Sequence, residues 1–194
     1  DDFGHSAATS HLLSQMGYET IVFTRLNHQE KKYRITNHNL EFFYFPFNQN
    51  QKIFTHVSYF HYNIRKILNK YYEDKKIILP GIKIKEICEE FYQLMKEEKE
   101  GYKHNNILLY YGDDFTFKKV DINYENIEMI MNYVNTNMKG KMKMIYSTPS
   151  QYFDYVKKSG VLFQEYKNYD FFPYSDNDYS FWTGYCRSRP NLKG

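Results

Sequence analysis

Short apolar runs alternate with helical stripes along most of this chain, and that alternation limits the fold more than any other feature. Residues 19–24 (Glu19-Thr20-Ile21-Val22-Phe23-Thr24) read as a buried strand. A helix precedes them: Ala8, Leu12, Leu13 and Met16 fall at helical spacing and Gly17 supplies a left-handed cap. Further on, residues 107–111 read as a strand, Gly112-Asp113-Asp114 as a loop, and Ile127, Ile130, Met131 and Val134 as the apolar face of a helix. Residues 142–146 form the next expected strand, after which Thr148 and Pro149 supply an N-cap and a first-turn proline for a helix that runs to Lys158 and closes at Gly160. Strand–helix alternation of this kind predicts an α/β fold, a mostly parallel sheet or incomplete β/α barrel flanked by helices.

Other stretches are read less directly. Residues 27–39 are polar and read as loop, and residues 40–47 are apolar and aromatic, with Pro46 pointing to an edge strand or an irregular segment. A short helix is expected over residues 64–72, ended before Pro80-Gly81. Ile84, Ile87, Phe91, Leu94 and Met95 mark an amphipathic helix over residues 82–98.

Composition removes several function classes. With 42% hydrophobic and 25% charged residues, the 194-residue chain is of globular type and has the size of one domain or one piece of a larger one. A net charge of +3 with scattered lysines gives no basic stripe, which argues against a nucleic-acid partner. No run approaches the roughly 18 apolar residues of a membrane span. Cys88 and Cys186 have no metal-ligand spacing, and their pairing is open. Aromatic residues reach 20%, but they are spread along the chain, as a general bias in residue usage would leave them.

Two acidic loops could carry chemistry: Asp1-Asp2 at the start of the chain and Asp113-Asp114 after the expected strand. Loops at the carboxyl ends of parallel strands share one rim, and two carboxyl groups at one rim are the minimum equipment for glycoside hydrolysis. An aspartate at a strand end also caps helices and closes Asx turns. Spacing alone does not separate a glycosidase from any other carboxylate-using enzyme.

A resemblance narrows the choice. Asp1-Asp2-Phe3-Gly4-His5-Ser6 and the following helix, ending Gln15-Met16-Gly17-Tyr18, resemble the opening block of the glycoside hydrolase family 38 α-mannosidases, Asp-Pro-Phe-Gly-His-Ser followed by Gln-Met-Gly-Phe/Tyr. Ile21-Val22-Phe23-Thr24-Arg25 resembles a strand that delivers an active-site arginine. Ile53 to Tyr62 resembles the Phe-Thr-His segment, and Gly112-Asp113-Asp114-Phe115 the Gly-Asp/Ser-Asp-Phe loop. Tyr146-Ser147-Thr148-Pro149 and the block from Phe171 to Pro190 complete the series, the last being most similar to the lysosomal branch.

The resemblance implies a zinc-dependent retaining α-mannosidase acting on mannose-containing N-glycans or oligosaccharides, in a lysosomal or other secretory compartment. Asp1 would be the nucleophile and a ligand of the zinc, and Asp114 the general acid/base. Arg25 would lie beside the nucleophile and favour its ionised form, while Tyr62, Asp176 and Trp182 would bind the sugar. The family's metal shell takes two His and two Asp. Asp1 is the one ligand expected in this chain, with His5, His56 and His61 expected to be structural. The chain would then be a partial catalytic domain, residues 1–194, cut at both ends and inactive alone. Asp2 stands where the family has Pro, which removes a fixed φ and adds a charge beside the expected nucleophile. The alternative is a non-catalytic glycan-binding relative; oligomeric state is open.

Overall fold

The alternation expected from sequence is partly realised in the computed structural model, which describes residues 3–47, 51–62, 81–115 and 117–193. In chain order the elements are α1 (Ala7–Gln15), β1 (Thr20–Phe23), α2 (His28–Thr36), β2 (Glu41–Phe45), β3 (Ile53–Val57), α3 (Gly81–Lys99), α4 (Val120–Asn137), α5 (Pro149–Lys158), β4 (Gln164–Lys167), β5 (Ser175–Asn177), β6 (Ser180–Phe181), α6 (Gly184–Arg187) and α7 (Pro190–Lys193). They fall into two units. One comprises Asp1–His61, Glu100–His104 and Val161–Gly194, the other Tyr62–Lys99 and Asn105–Gly160.

The first unit is built on a four-stranded sheet in the order β1-β3-β2-β4. β1 pairs with β3 in parallel, β2 with β3 antiparallel, and β2 with β4 in parallel, so the sheet is mixed α/β and mostly parallel. Among the described residues it stays open and closes no barrel. β2 lies inside the sheet, which corrects the edge position suggested by Pro46. The proline sits one residue past the strand, where its missing N–H removes no ladder hydrogen bond. Phe42, Tyr44, Ile53 and Val57 from β2 and β3 join Ala7, Phe23, Leu26, Leu40, Tyr102 and Phe171 in the core.

Residues 27–39 are a second correction: the expected loop contains α2. Hydrophobic periodicity could not reveal this helix because the side chain it buries fully is an arginine. Asn27 caps the first turn, its Oδ1 accepting from the N–H groups of Gln29 and Glu30. Arg34 is completely buried, with its guanidinium carbon 4.0 Å from the Phe42 ring centroid and 4.2 Å from that of Tyr166. Its Nε donates to Glu30 Oε1 at 2.7 Å, so the buried cation keeps an anionic partner four residues away. In α1 the helix is where the sequence predicts but the buried face differs: Ala7 and Ser10 are inside, while Leu12 and Met16 are exposed.

A charged cluster lies beneath the sheet. Glu41 is buried and accepts from His56 Nδ1 at 2.7 Å and from His104 Nε2 at 2.5 Å. The His56 ring stacks on Tyr102 at 5.3 Å, whose hydroxyl donates to the Val57 carbonyl and accepts from the Tyr59 N–H. These hydrogen bonds agree with the expectation that His56 is structural.

The second unit packs α3 against α4, with Ile87, Cys88, Phe91 and Met95 meeting Ile130, Val134 and Met138. Cys88 is a free thiol pushed up to about 11 by burial, with Glu89 adding to the shift. The expected strands over residues 107–111 and 142–146 do not form. Ile107, Leu109, Tyr111, Met142 and Met144 lie against the helices instead, so their alternation records packing on a helical face. Asn135 supplies part of what a neighbouring strand would: its amide accepts from Met144 N–H at 2.9 Å and donates to Met144 C=O at 2.8 Å. The helix after Thr148 forms as expected, with Thr148 and Gln151 closing a capping box. The expected helix over residues 64–72 lies outside the described residues.

Burial raises the Glu41 carboxyl, but the hydrogen bonds from His104 and His56 outweigh it and hold the group at about 2, against 4.5 ordinarily. The ionised form therefore favours the fold above pH 4.5, and this contribution drains away as pH falls from 4.5 toward 2. Glu41→Gln should cost about 3 kcal/mol at neutral pH, because both imidazole N–H groups lose their anionic acceptor and one of them is left facing an amide NH2. Urea unfolding at pH 7 and pH 3 measures both effects; a variant as stable as wild type at pH 7 would contradict the assignment.

Candidate active site

Three segments of the first unit converge: the loop before α1, the residues between β1 and α2, and the stretch from Asp170 to Tyr185. The first is held down by backbone. His5 N–H donates to Phe171 C=O at 2.9 Å, and Asp170 Oδ1 accepts from both Ala7 N–H and Phe172 N–H. Gly4 is required at this contact: its φ is +125°, and a Cβ there would stand 1.7 Å from the Phe172 carbonyl oxygen. His5 stacks on Phe23 of β1 at 4.1 Å, so it orients the loop by ring packing and backbone pairing. Phe3 is thereby laid against Trp182 at 4.8 Å and Tyr185 at 4.5 Å, in a near-parallel stack.

Arg25 follows β1 and projects its guanidinium into this cluster, 5.0 Å from the Trp182 ring centroid, 5.1 Å from Phe3 and 5.6 Å from Tyr174. A guanidinium over ring faces gains electrostatic attraction that strengthens as water is excluded. Asp176 fixes the rings. Its Oδ2 accepts from the Trp182 indole N–H at 2.6 Å, and its Oδ1 accepts from the Tyr174 hydroxyl. The side chain can do this because β5 and β6 pair with a register shift between Ser175 and Asn177, which frees Asp176 from the ladder. Burial and the Asp176 carboxylate push the Tyr174 phenol up to about 12 despite Arg25, so it remains a donor at any physiological pH.

The second unit holds the other two described candidates. Tyr62 OH donates to Asp114 Oδ1 at 2.9 Å. Asp114 N–H in turn bonds the side chain of Asp113 at 2.7 Å, shaping an exposed turn in which Phe115 has φ +60°. Tyr62 thus restrains one carboxylate oxygen of Asp114 and leaves the other open to form a further hydrogen bond.

The model of the glycosyl hydrolases family 38 N-terminal domain matches residues 1–177. The chain is 32% identical over 206 residues to the lysosomal alpha-mannosidase of Dictyostelium discoideum, covering all of this chain and 20% of that protein. It is 30% identical over 203 residues to a probable alpha-mannosidase of Arabidopsis thaliana and 30% identical over 207 residues to the human lysosomal alpha-mannosidase, covering all of this chain and 19% and 20% of those proteins. The chain belongs to glycoside hydrolase family 38. It spans about a fifth of the length of the curated relatives it matches.

Within the family frame, Arg25, Asp176 and Trp182 come together in one unit, and Tyr62 and Asp114 pair in the other. Asp1 lies outside the described residues, as does Asp2. Asp176 and Trp182 were expected to meet sugar; the indole N–H and both Asp176 oxygens are engaged with each other and with Tyr174. Sequence reasoning did not single out Phe3 or Tyr174, though both sit inside motifs it quoted. Among the described residues no group of three or more His, Cys, Asp or Glu side chains could hold a metal ion, and no helix is long and apolar enough to cross a membrane.

Gly4→Ala forces a Cβ into the Phe172 carbonyl at a φ that L-residues rarely adopt. It should destabilise the protein by about 2 kcal/mol or more and loosen Phe3 from the ring stack. Denaturant unfolding measures the loss, and an unchanged midpoint would show that the loop is not anchored there.

Proposed function

We propose that the protein to which this chain belongs is a retaining α-mannosidase that removes terminal α-mannosyl residues from N-glycans or related oligosaccharides. The observation that carries the reading is the Arg25 pocket: a half-buried cation against Phe3, Tyr174 and Trp182, of which Phe3 follows the expected nucleophile, Asp1, by two residues in the sequence. Family membership and relatives named as α-mannosidases support the same reaction. Relatives named as lysosomal support a lysosomal or secretory setting.

In the proposed reaction an oxygen of the Asp1 carboxylate bonds to the anomeric carbon as the glycosidic C–O bond breaks. The acidic proton of Asp114 passes to the departing oxygen. Asp114, now ionised, takes a proton from water as the water oxygen bonds to the anomeric carbon and Asp1 leaves, giving mannose with retained configuration. Tyr62, bonded to Asp114 Oδ1, would aim the second oxygen at the leaving group. Arg25 would hold the nucleophile ionised. The expected zinc belongs to this proposal too: when bound, it would orient the sugar's hydroxyls. The described residues offer it no cluster, and Asp1, its one expected ligand in this chain, lies outside them.

Two assays on the longer protein test the reading. Asp1→Ala should abolish turnover of an aryl α-mannoside, and a chelator should do the same in wild type. Asp114→Ala should slow hydrolysis of an unactivated mannoside by about 10²–10⁴-fold, yet spare an aryl mannoside whose leaving group needs no proton. Binding of mannosides with no turnover in wild type would instead favour the glycan-binding alternative. Full activity in Asp1→Ala would remove the nucleophile assignment.

A further inference from the structure

The hairpin of β5 and β6 has two working faces. One holds the aromatic pocket through Asp176. The other is tied to the first turn of α2 by side chains that no reaction step uses. Asn27 Nδ2 donates to Ser175 Oγ at 2.9 Å, and Ser175 Oγ lies 3.2 Å from His28 Nδ1. His28 Nε2 lies 2.9 Å from Asp178 Oδ1, which also accepts from Gln29 Nε2 at 3.0 Å.

The directions of these bonds are consistent around the whole set. An ionised carboxylate only accepts, so His28 presents Nε2–H to Asp178, and in the neutral ring Nδ1 is then the acceptor for the Ser175 hydroxyl proton. Ser175 Oγ then accepts from Asn27, whose own Oδ1 is occupied by Gln29 N–H and Glu30 N–H. Ser175 is 1% exposed, so this is an internal relay and not an open nucleophile. The hydrogen bonds from Gln29 and His28 also hold the Asp178 carboxyl below its usual range.

We propose that His28 and Asp178 are positioning residues, forming a clamp between α2 and the β5–β6 turn that sets the distance between Arg25 and Trp182. The covalent path makes the coupling direct. Arg25 precedes the clamp's Asn27 by two residues on one segment, and Asp176 lies between the clamp's Ser175 and Asp178 on the other. The segments therefore touch twice, once at the clamp and once at the ring pocket. Asn177 Oδ1 accepts from Tyr179 N–H at 2.9 Å and keeps the turn tight between those contacts. Releasing the clamp leaves the pocket held by ring packing and the Asp176 hydrogen bonds, without the tie to α2. Shifts of the order of 1 Å there can cost about 10²-fold in rate.

The catalytic consequence rests on the mannosidase reading, but the clamp does not, and the experiment keeps them apart. Trp182 is the single tryptophan of the chain, so its emission in this chain reports the pocket alone. In Asp178→Ala, the acrylamide quenching constant of Trp182 should rise about twofold through added local opening, with far-UV circular dichroism unchanged. Asp178→Asn keeps an oxygen acceptor for His28 and Gln29 and should restore wild-type quenching. His28→Ala should repeat the Asp178→Ala effect, and combining the two should add little. In the longer enzyme, kcat/KM for an α-mannoside should fall about tenfold in Asp178→Ala and recover in Asp178→Asn. Wild-type quenching in both alanine variants overturns the clamp even if the enzyme is active. Altered quenching in a protein that turns over no mannoside upholds the clamp and removes the mannosidase reading.

Discussion

Arg25 sets the terms for its surroundings. A guanidinium stays charged at any relevant pH, and partial withdrawal from water is tolerable only if the surroundings replace hydration with something equally well placed. Here the replacement includes three ring faces at 5.0–5.6 Å. Rings attract a cation only in the right orientation, so each has to be held. Phe3 is held by a loop whose backbone is fastened to residues 170–172. Trp182 and Tyr174 are held by a carboxylate that a β-bulge turns toward them. Gly4, Asp170 and Asp176 are therefore one device, whose output is the position of a positive charge.

Polar residues do much of the internal fastening of the first unit. Arg34 is fully buried against rings with Glu30 as partner, and Glu41 is buried between two imidazoles. Such groups add little net stability compared with apolar replacements, yet removing one member leaves an unmatched charge inside. They specify one arrangement: Arg34 fits only if α2 lies over Phe42 and Tyr166, and Glu41 only if His104 returns to the sheet from a distant segment. The second unit relies on ordinary apolar helix packing and tolerates extended segments lying on the helices.

This contrast explains what could be read from the amino-acid order. β1, α3 and α5 were legible because an apolar run, helical apolar spacing, or an N-cap threonine followed by proline marks them directly. α2 was not, since its buried side chain is charged and its cap, Asn27, also suits a loop. Residues 107–111 and 142–146 alternate like strands, but alternation reports only that one side of an extended segment is buried, and Asn135 meets the backbone of Met144 where a strand would have done so. At the site, spacing gave two acidic loops; the resemblance supplied Arg25, Tyr62, Asp114, Asp176 and Trp182. Neither route led to Phe3, Tyr174, His28 or Asp178, because their roles lie in contacts between segments more than 140 residues apart in sequence, such as His28 with Asp178.

The central claim is that the Asp1 carboxylate bonds covalently to a mannosyl anomeric carbon. The most direct measurement is to inactivate the longer enzyme with a fluorinated, slowly hydrolysed mannosyl fluoride and locate the adduct by peptide mass spectrometry. The account predicts one fluoromannosyl group on Asp1. A label on Asp114 or another residue, or inactivation with no covalent adduct, would contradict it.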